Sequence, residues 1–105
     1  MKFFIILSAC PTQRSAHQLA RLLVRKKLAA CINIIPGIQS YFWWKGKVDK
    51  AREFLLIIKT KRECFEDITK VLQKTHPYEI PEIIGFPLEK GFRKYLRWLE
   101  DSLAL

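Results

Sequence analysis

The chain opens on an unbroken apolar run, Phe3-Phe4-Ile5-Ile6-Leu7. It is too short for a helix and predicts a strand over residues 3–8, covered on both faces. Pro11 stops it, and Thr12 can cap the helix that follows. Ala16, Leu19, Ala20 and Leu23 then recur near a 3.6 period, with Arg21, Arg25 and Lys26 facing out, so an amphipathic helix is predicted. Residues 31–35 form a second strand, ended or kinked at Pro36-Gly37. Extended character resumes at Ile38 and carries Tyr41, Phe42, Trp43 and Trp44 to a tight turn at Lys45-Gly46. Residues 47–52 are polar, and residues 54–58 read as another buried strand. Thr60 and Glu63 have the spacing of a capping box, with Phe65, Ile68 and Leu72 on one face of the helix behind it. His76-Pro77 ends that helix, because the residue before proline avoids helical geometry. Residues 80–86 form a fourth strand whose Pro81 assigns it to an edge or a bulge. Phe92, Tyr95, Leu96, Leu99 and Leu103 repeat at helical spacing and predict a short last helix.

The order is β-α-β-β-α-β plus a terminal helix. Two β-α-β halves in tandem define an α+β, ferredoxin-like architecture: an antiparallel sheet with two helices on one face. Its 105 residues form a single domain, 1–105. Following the strands up and down brings Cys10, His76, Tyr78, Glu79 and the base of the hairpin to one end of the sheet, with Cys31 at the other. The second and third strands together span residues 30–60, far longer than the first and fourth, so the hairpin projects past the sheet. Its neighbouring Trp43 and Trp44 point to opposite faces. One chain cannot cover both, and the ribbon is therefore read as a contact between chains.

Composition narrows the classes. Half the residues are apolar and 28% are charged, the profile of an ordered globule. No apolar run approaches the roughly 20 residues of a membrane span. Leu7-Ser8-Ala9-Cys10 has the form of a lipoprotein cleavage box, but the nine residues before Cys10 fall short of a signal peptide of about 15–30 residues. Cys10, Cys31 and Cys64 are an odd number without a CxxC pair, which suits a reducing cytoplasm; Cys31 and Cys64 read as core residues. Lys and Arg outnumber Asp and Glu by 19 to 10, giving +9. That charge makes a basic RNA-binding domain of ferredoxin-like fold the alternative reading. Such domains stack bases on aromatic residues of the central strands, and here the third strand reads Phe-Leu-Leu-Ile-Ile. No Ser-His-Asp set, phosphate loop or HExxH motif points to an enzyme.

Four blocks carry a family resemblance: Leu28-Ala29-Ala30-Cys31-Ile32-Asn33-Ile34-Ile35-Pro36-Gly37, Tyr41-Phe42-Trp43-Trp44-Lys45-Gly46-Lys47, Leu56-Ile57-Ile58-Lys59-Thr60, and His76-Pro77-Tyr78-Glu79-Ile80-Pro81-Glu82-Ile83-Ile84. In order and spacing they resemble the CutA family of divalent-cation tolerance proteins. The resemblance implies the same fold, a homotrimer built through long hairpins, a cytoplasmic or organellar setting, and an association with tolerance to copper and other divalent metals. It implies no catalysis; a small-ligand signalling role is the further idea it carries.

Three positions depart from the family pattern. Lys45 stands where the turn has an acid, and Thr12 follows Pro11 where an acid is frequent. The copper ligands of some members fall on Ser8, Thr75 and His76, so only His76 carries over, with Cys10 as its nearby soft partner. The candidate metal ligands are therefore His76 and Cys10, a weak pair for copper or another divalent cation and not one needed for folding. Tyr78, Glu79 and Glu82, beside two prolines, are candidates for a cleft between subunits that Asn33, Trp44 and Lys59 of a neighbour complete.

Overall fold

A computed structural model describes residues 2–104. The elements are β1 (Phe3–Cys10), α1 (Gln13–Arg25), β2 (Cys31–Trp44), β3 (Lys47–Lys61), α2 (Phe65–Thr75), β4 (Ile84–Pro87) and α3 (Arg93–Asp101), with a 3-10 turn at Arg62–Cys64. The sheet order is β2-β3-β1-β4 with every pair antiparallel, the ferredoxin-like arrangement.

Alternation along the strands divides the sheet into two unlike faces. Ile6 and Cys10 of β1 and Leu56 and Ile58 of β3 point to the face that α1 and α2 cover. There they meet Ala16, Leu19 and Leu23 of α1 and Ile68 and Leu72 of α2, all buried. The other face is covered at one end by α3, where Phe3 packs with Leu99 and Leu103. Beyond α3 that face stays open: Leu7, Leu55 and Ile57 are half-buried, and Ile35, Ile84 and Phe86 are exposed.

Local chemistry sets the element ends. Thr12 accepts a hydrogen bond from the Ser15 backbone N–H, and the Ser15 hydroxyl accepts one from the Thr12 N–H, a reciprocal box that starts α1. The box expected at Thr60 does not form. Thr60 lies within β3, and its buried hydroxyl donates to the Leu28 carbonyl at 2.6 Å; the chain then makes the 3-10 turn before α2 begins without a side-chain cap. A strand ladder and a cross-loop bond win over the local motif. Strand β4 is shorter than expected, Ile84–Pro87, because its pairing with β1 begins only at Leu7↔Ile84. Residues 80–83, with Pro81 unable to donate to a ladder, lie outside it. Gly85 packs against Phe4: a Cβ there would meet the ring at 2.5 Å.

Strand β2 does not end at Pro36-Gly37. Ile35 pairs with Leu55 and Ile38 with Glu53, so the two intervening residues form a bulge opposite Phe54, with Gly37 at φ +70°. At the tip Lys45 and Gly46 both have positive φ, 52° and 77°, as a two-residue hairpin turn requires. Because β1 pairs with β3 only from Phe54 onward, the stretch 38–53 projects as a lone ribbon. The molecule measures 45 × 25 × 22 Å as a result. Cys64 is buried as expected, but Cys31 is only half-buried, because it begins the edge strand on the face that α1 and α2 do not cover.

Candidate functional site

The expected gathering of Cys10, His76 and Tyr78 at the hairpin base is present. β1 delivers Cys10 at its last residue. The proline after His76 ends α2, and His76 turns its ring back under the end of β1. The His76 Nε2–H donates to the Ala9 carbonyl at 2.9 Å, with the Cys10 Sγ 3.8 Å from the same nitrogen. Nδ1 accepts the Tyr78 backbone N–H at 3.0 Å, which assigns the ring proton to Nε2. The His76 and Tyr78 rings lie 5.1 Å apart. The Tyr78 hydroxyl donates to Glu53 at 2.5 Å. Glu53, only 6% exposed, was not singled out from sequence. The signal was weak: a lone acid between Arg52 and the apolar run at 54–58 reads as the end of the polar ribbon. Only the register, with Glu53 at the bulge and beside the segment that follows α2, reveals it as the centre of the cluster.

Burial dominates the electrostatics. It pushes the Cys10 thiol up to about 11, and the Glu53 charge adds to the rise. It holds His76 below the usual imidazole range, against the opposing Ala9 hydrogen bond and Glu53 charge. Burial, the hydrogen bond to Glu53 and its charge raise the Tyr78 hydroxyl. Glu82 is exposed as a residue, but partial desolvation of its carboxyl, and then the Glu53 charge, raise it. At neutral pH the cluster therefore presents a neutral thiol, a neutral imidazole and a phenol bonded to a carboxylate.

As they stand, these residues do not fit a metal ion. Both His76 nitrogens are engaged, so ligation would break a bond to Ala9 or Tyr78. The thiol is held protonated, whereas the thiolate is the ligand. The Ser8 hydroxyl, next along the same face of β1, is buried without a hydrogen-bond partner, and a hydroxyl is a poor ligand for copper. Among the described residues no three His, Cys, Asp or Glu side chains gather to hold an ion.

The remaining cleft candidates are dispersed in the single chain. Asn33 pairs with Ile57 within the sheet, and Trp44 sits at the hairpin tip. Lys59 lies opposite Cys31 at the far end, its ammonium 5.8 Å from the Tyr95 ring centroid. Glu79 and Glu82 are exposed near Tyr78 in sequence. The central strands β1 and β3 show Ile5, Leu7, Leu55 and Ile57 on the face away from α1 and α2, which offers no aromatic platform for bases, so nothing supports the RNA-binding alternative.

Fold and site together define a class: a ferredoxin-like α+β protein with an over-long hairpin and a closed polar cluster at its base. A family model described as "CutA1 divalent ion tolerance protein" matches residues 4–102, and the chain belongs to that family. It is 40% identical to the divalent-cation tolerance protein CutA of Archaeoglobus fulgidus, covering 98% of this chain and 99% of the relative. With the chloroplastic CutA 1 of Oryza sativa it shares 41% over 93% of this chain, but it spans only 55% of that relative's length. Among solved structures, the Cut A1 protein of Thermus thermophilus superposes with a TM-score of 0.94 at 36% identity, covering 97% and 99% of the two chains. CutA1 from Oryza sativa gives 0.96 at 38%, covering 99% and 95%. The family is described by divalent-ion tolerance and not by a reaction. Among the described residues no helix is long and apolar enough to cross a membrane.

Proposed function

We propose that this chain acts in the cytoplasm as a non-catalytic homotrimer serving tolerance to divalent metals, copper among them. The observation that carries the reading is the ribbon. Tyr41, Phe42, Trp43, Trp44 and Val48 are all exposed on a two-stranded projection, with Trp43 75% and Trp44 46% accessible. An isolated ribbon is marginal in water, and apolar side chains on both its faces call for neighbours on both sides. The open half of the sheet continues the same apolar surface. Family membership supports the metal-tolerance role, and three free thiols suit a reducing compartment. The segment 78–82 at the hairpin base then forms one wall of a cleft between subunits, to which one neighbour brings either Trp44 or the Asn33–Lys59 region, because these lie at opposite ends of the hairpin. Any copper or zinc at His76 and Cys10 binds weakly, because it must displace the Ala9 or Tyr78 bond and a thiol proton.

Sedimentation equilibrium tests the assembly and should give a mass near three chains; a stable monomer at micromolar concentration would refute it. Titration of the tag-free protein with copper, by calorimetry, tests the metal reading. Weak binding reduced by His76→Ala is expected. An affinity unchanged by His76→Ala, or unfolding in chelator, would overturn it.

A further inference from the structure

The outer face of the molecule holds a feature that neither assembly nor metal tolerance uses. A groove of about 550 Å³ runs along α1 toward the end of α2, lined by Ser15, Gln18, Arg21, Leu22 and Arg25 on one side and by Thr75 and Pro77 on the other. Helix α1 contains Arg14, Arg21 and Arg25 and no acidic residue, and Lys26 and Lys27 follow it. Arg21 and Arg25 are one turn apart, a spacing at which like charges oppose the helix. Neither guanidinium has an acid partner among the described residues. No acidic side chain lines the groove. The Ser15 hydroxyl donates to Thr12 and the Thr75 hydroxyl to the Val71 carbonyl, and the Leu72 carbonyl receives the His76 N–H. The carbonyls at the end of α2 are thus partly satisfied, and the donors left free in the groove are the two guanidinium forks and the Gln18 amide.

We propose that this groove is a binding site for a small organic phosphate. Arg21 and Arg25 hold its anionic group, and Leu22 and Pro77 pack against its apolar body. Two planar forks one turn apart match the oxygens of a phosphate monoester, which guanidinium binds by paired charge-assisted hydrogen bonds. The apolar wall would have no role for a bare inorganic ion. Because α1 and α2 cover the sheet face opposite the open one, the groove stays accessible when the hairpin and the open face are occupied by other subunits.

The probe is phenyl phosphate, titrated into the full chain and followed by backbone amide shifts at about 0.15 M salt, where exposed charges more than about 8 Å apart are largely screened. Saturable shifts confined to residues 15–25 and 75–77 are expected. Arg21→Gln/Arg25→Gln should weaken binding about tenfold or more, with far-UV circular dichroism unchanged and melting not lowered, since both side chains are exposed and their mutual repulsion is removed. Lys90→Gln/Lys94→Gln removes the same charge near and on α3, across the sheet, and should leave affinity within about twofold, as screened distant charges do. Equal weakening by both pairs, or shifts scattered over all basic segments, would mean diffuse attraction and overturn the site. Inorganic phosphate binding as tightly as phenyl phosphate would overturn the assignment of an organic ligand.

Discussion

Replacing Trp43 and Trp44 together by Ala tests the assembly at its strongest point. The two side chains keep 75% and 46% of their area accessible in the single chain. With about 250 Å² for a Trp side chain, a partner covering both removes about 300 Å² per chain from water. At about 25 cal/mol per Å² that is about 7 kcal/mol as a ceiling. The loss of rigid-body freedom on association is common to wild type and variant, so it cancels in their difference. Incomplete coverage does not cancel, and truncating one well-buried Trp costs about 3–5 kcal/mol. A loss of about 3–5 kcal/mol per chain is therefore the working figure for the pair. At 1.4 kcal/mol for each factor of ten, about two to three and a half powers of ten in each contact disappear.

The fold of the single chain should survive this change. Neither Trp belongs to the cores beneath α1 and α2 or beneath α3. Sedimentation equilibrium over a wide concentration range, with far-UV circular dichroism as the check on folding, should show a folded variant shifted strongly toward monomer. A double variant that stays trimeric with unchanged melting would refute the reasoning, and the ribbon would then not be the contact between chains.

Other outcomes follow from the cluster and the core. The unfolded chain binds the His76 proton at about pH 6.5, and burial makes the folded chain bind it less well. Stability should thus fall as pH drops below about 6.5, and urea midpoints of His76→Gln should show a smaller fall than wild type. Tyr78→Phe removes the donor to Glu53 and should cost about 1–3 kcal/mol in chemical denaturation. Thr60→Val leaves the Leu28 carbonyl without its hydroxyl donor and should cost a similar amount, about 1–3 kcal/mol, while Thr60→Ser should recover most of it. Gly85→Ala places a methyl against the Phe4 ring and should lower the melting temperature, by an overpacking cost of about 1–3 kcal/mol.

The parts of the fold that sequence reveals are those where one physical signal acts alone. The apolar runs at residues 3–7 and 54–58, the 3.6 period of α1 and the over-long hairpin each reported a real element, because nothing tertiary opposed them. Thr60 shows the opposite case. Its spacing to Glu63 is that of a helix cap, but β3 continues through it and the Leu28 carbonyl takes its hydroxyl. Pro36-Gly37 likewise reads as an ending or a kink, and only the pairing register shows which, a bulge within a continuous strand. In the cluster, Cys10, His76 and Tyr78 could be brought together from strand direction alone. Glu53 could not, because its burial depends on a side chain reaching it from 25 residues away. Nor could sequence reveal that His76 spends both nitrogens on backbone groups, since that follows from the path of residues 76–78 and not from their identity.

The position of Glu53 explains why hydrogen bonds close this end of the sheet in the single chain. A carboxylate at 6% exposure needs partners, and among the described contacts its hydrogen bond comes from Tyr78. Tyr78 is in turn held by His76, and His76 by the Ala9 carbonyl near the end of β1. The chain of bonds Ala9–His76–Tyr78–Glu53 therefore ties the end of β1 and the segment after α2 to the first residue of the ribbon beyond the bulge. Below that point β3 is flanked by two strands; above it, β3 has only β2. The joint lies where the ribbon leaves the sheet, the place where its direction is least constrained by ladder hydrogen bonds. Fixing that direction sets where Trp43 and Trp44 are presented, and a polar network achieves this because its donors and acceptors are satisfied in one geometry only. The network thus joins the base of the ribbon to β1 and to the segment after α2, and its histidine and thiol are neutral because burial disfavours their charged forms.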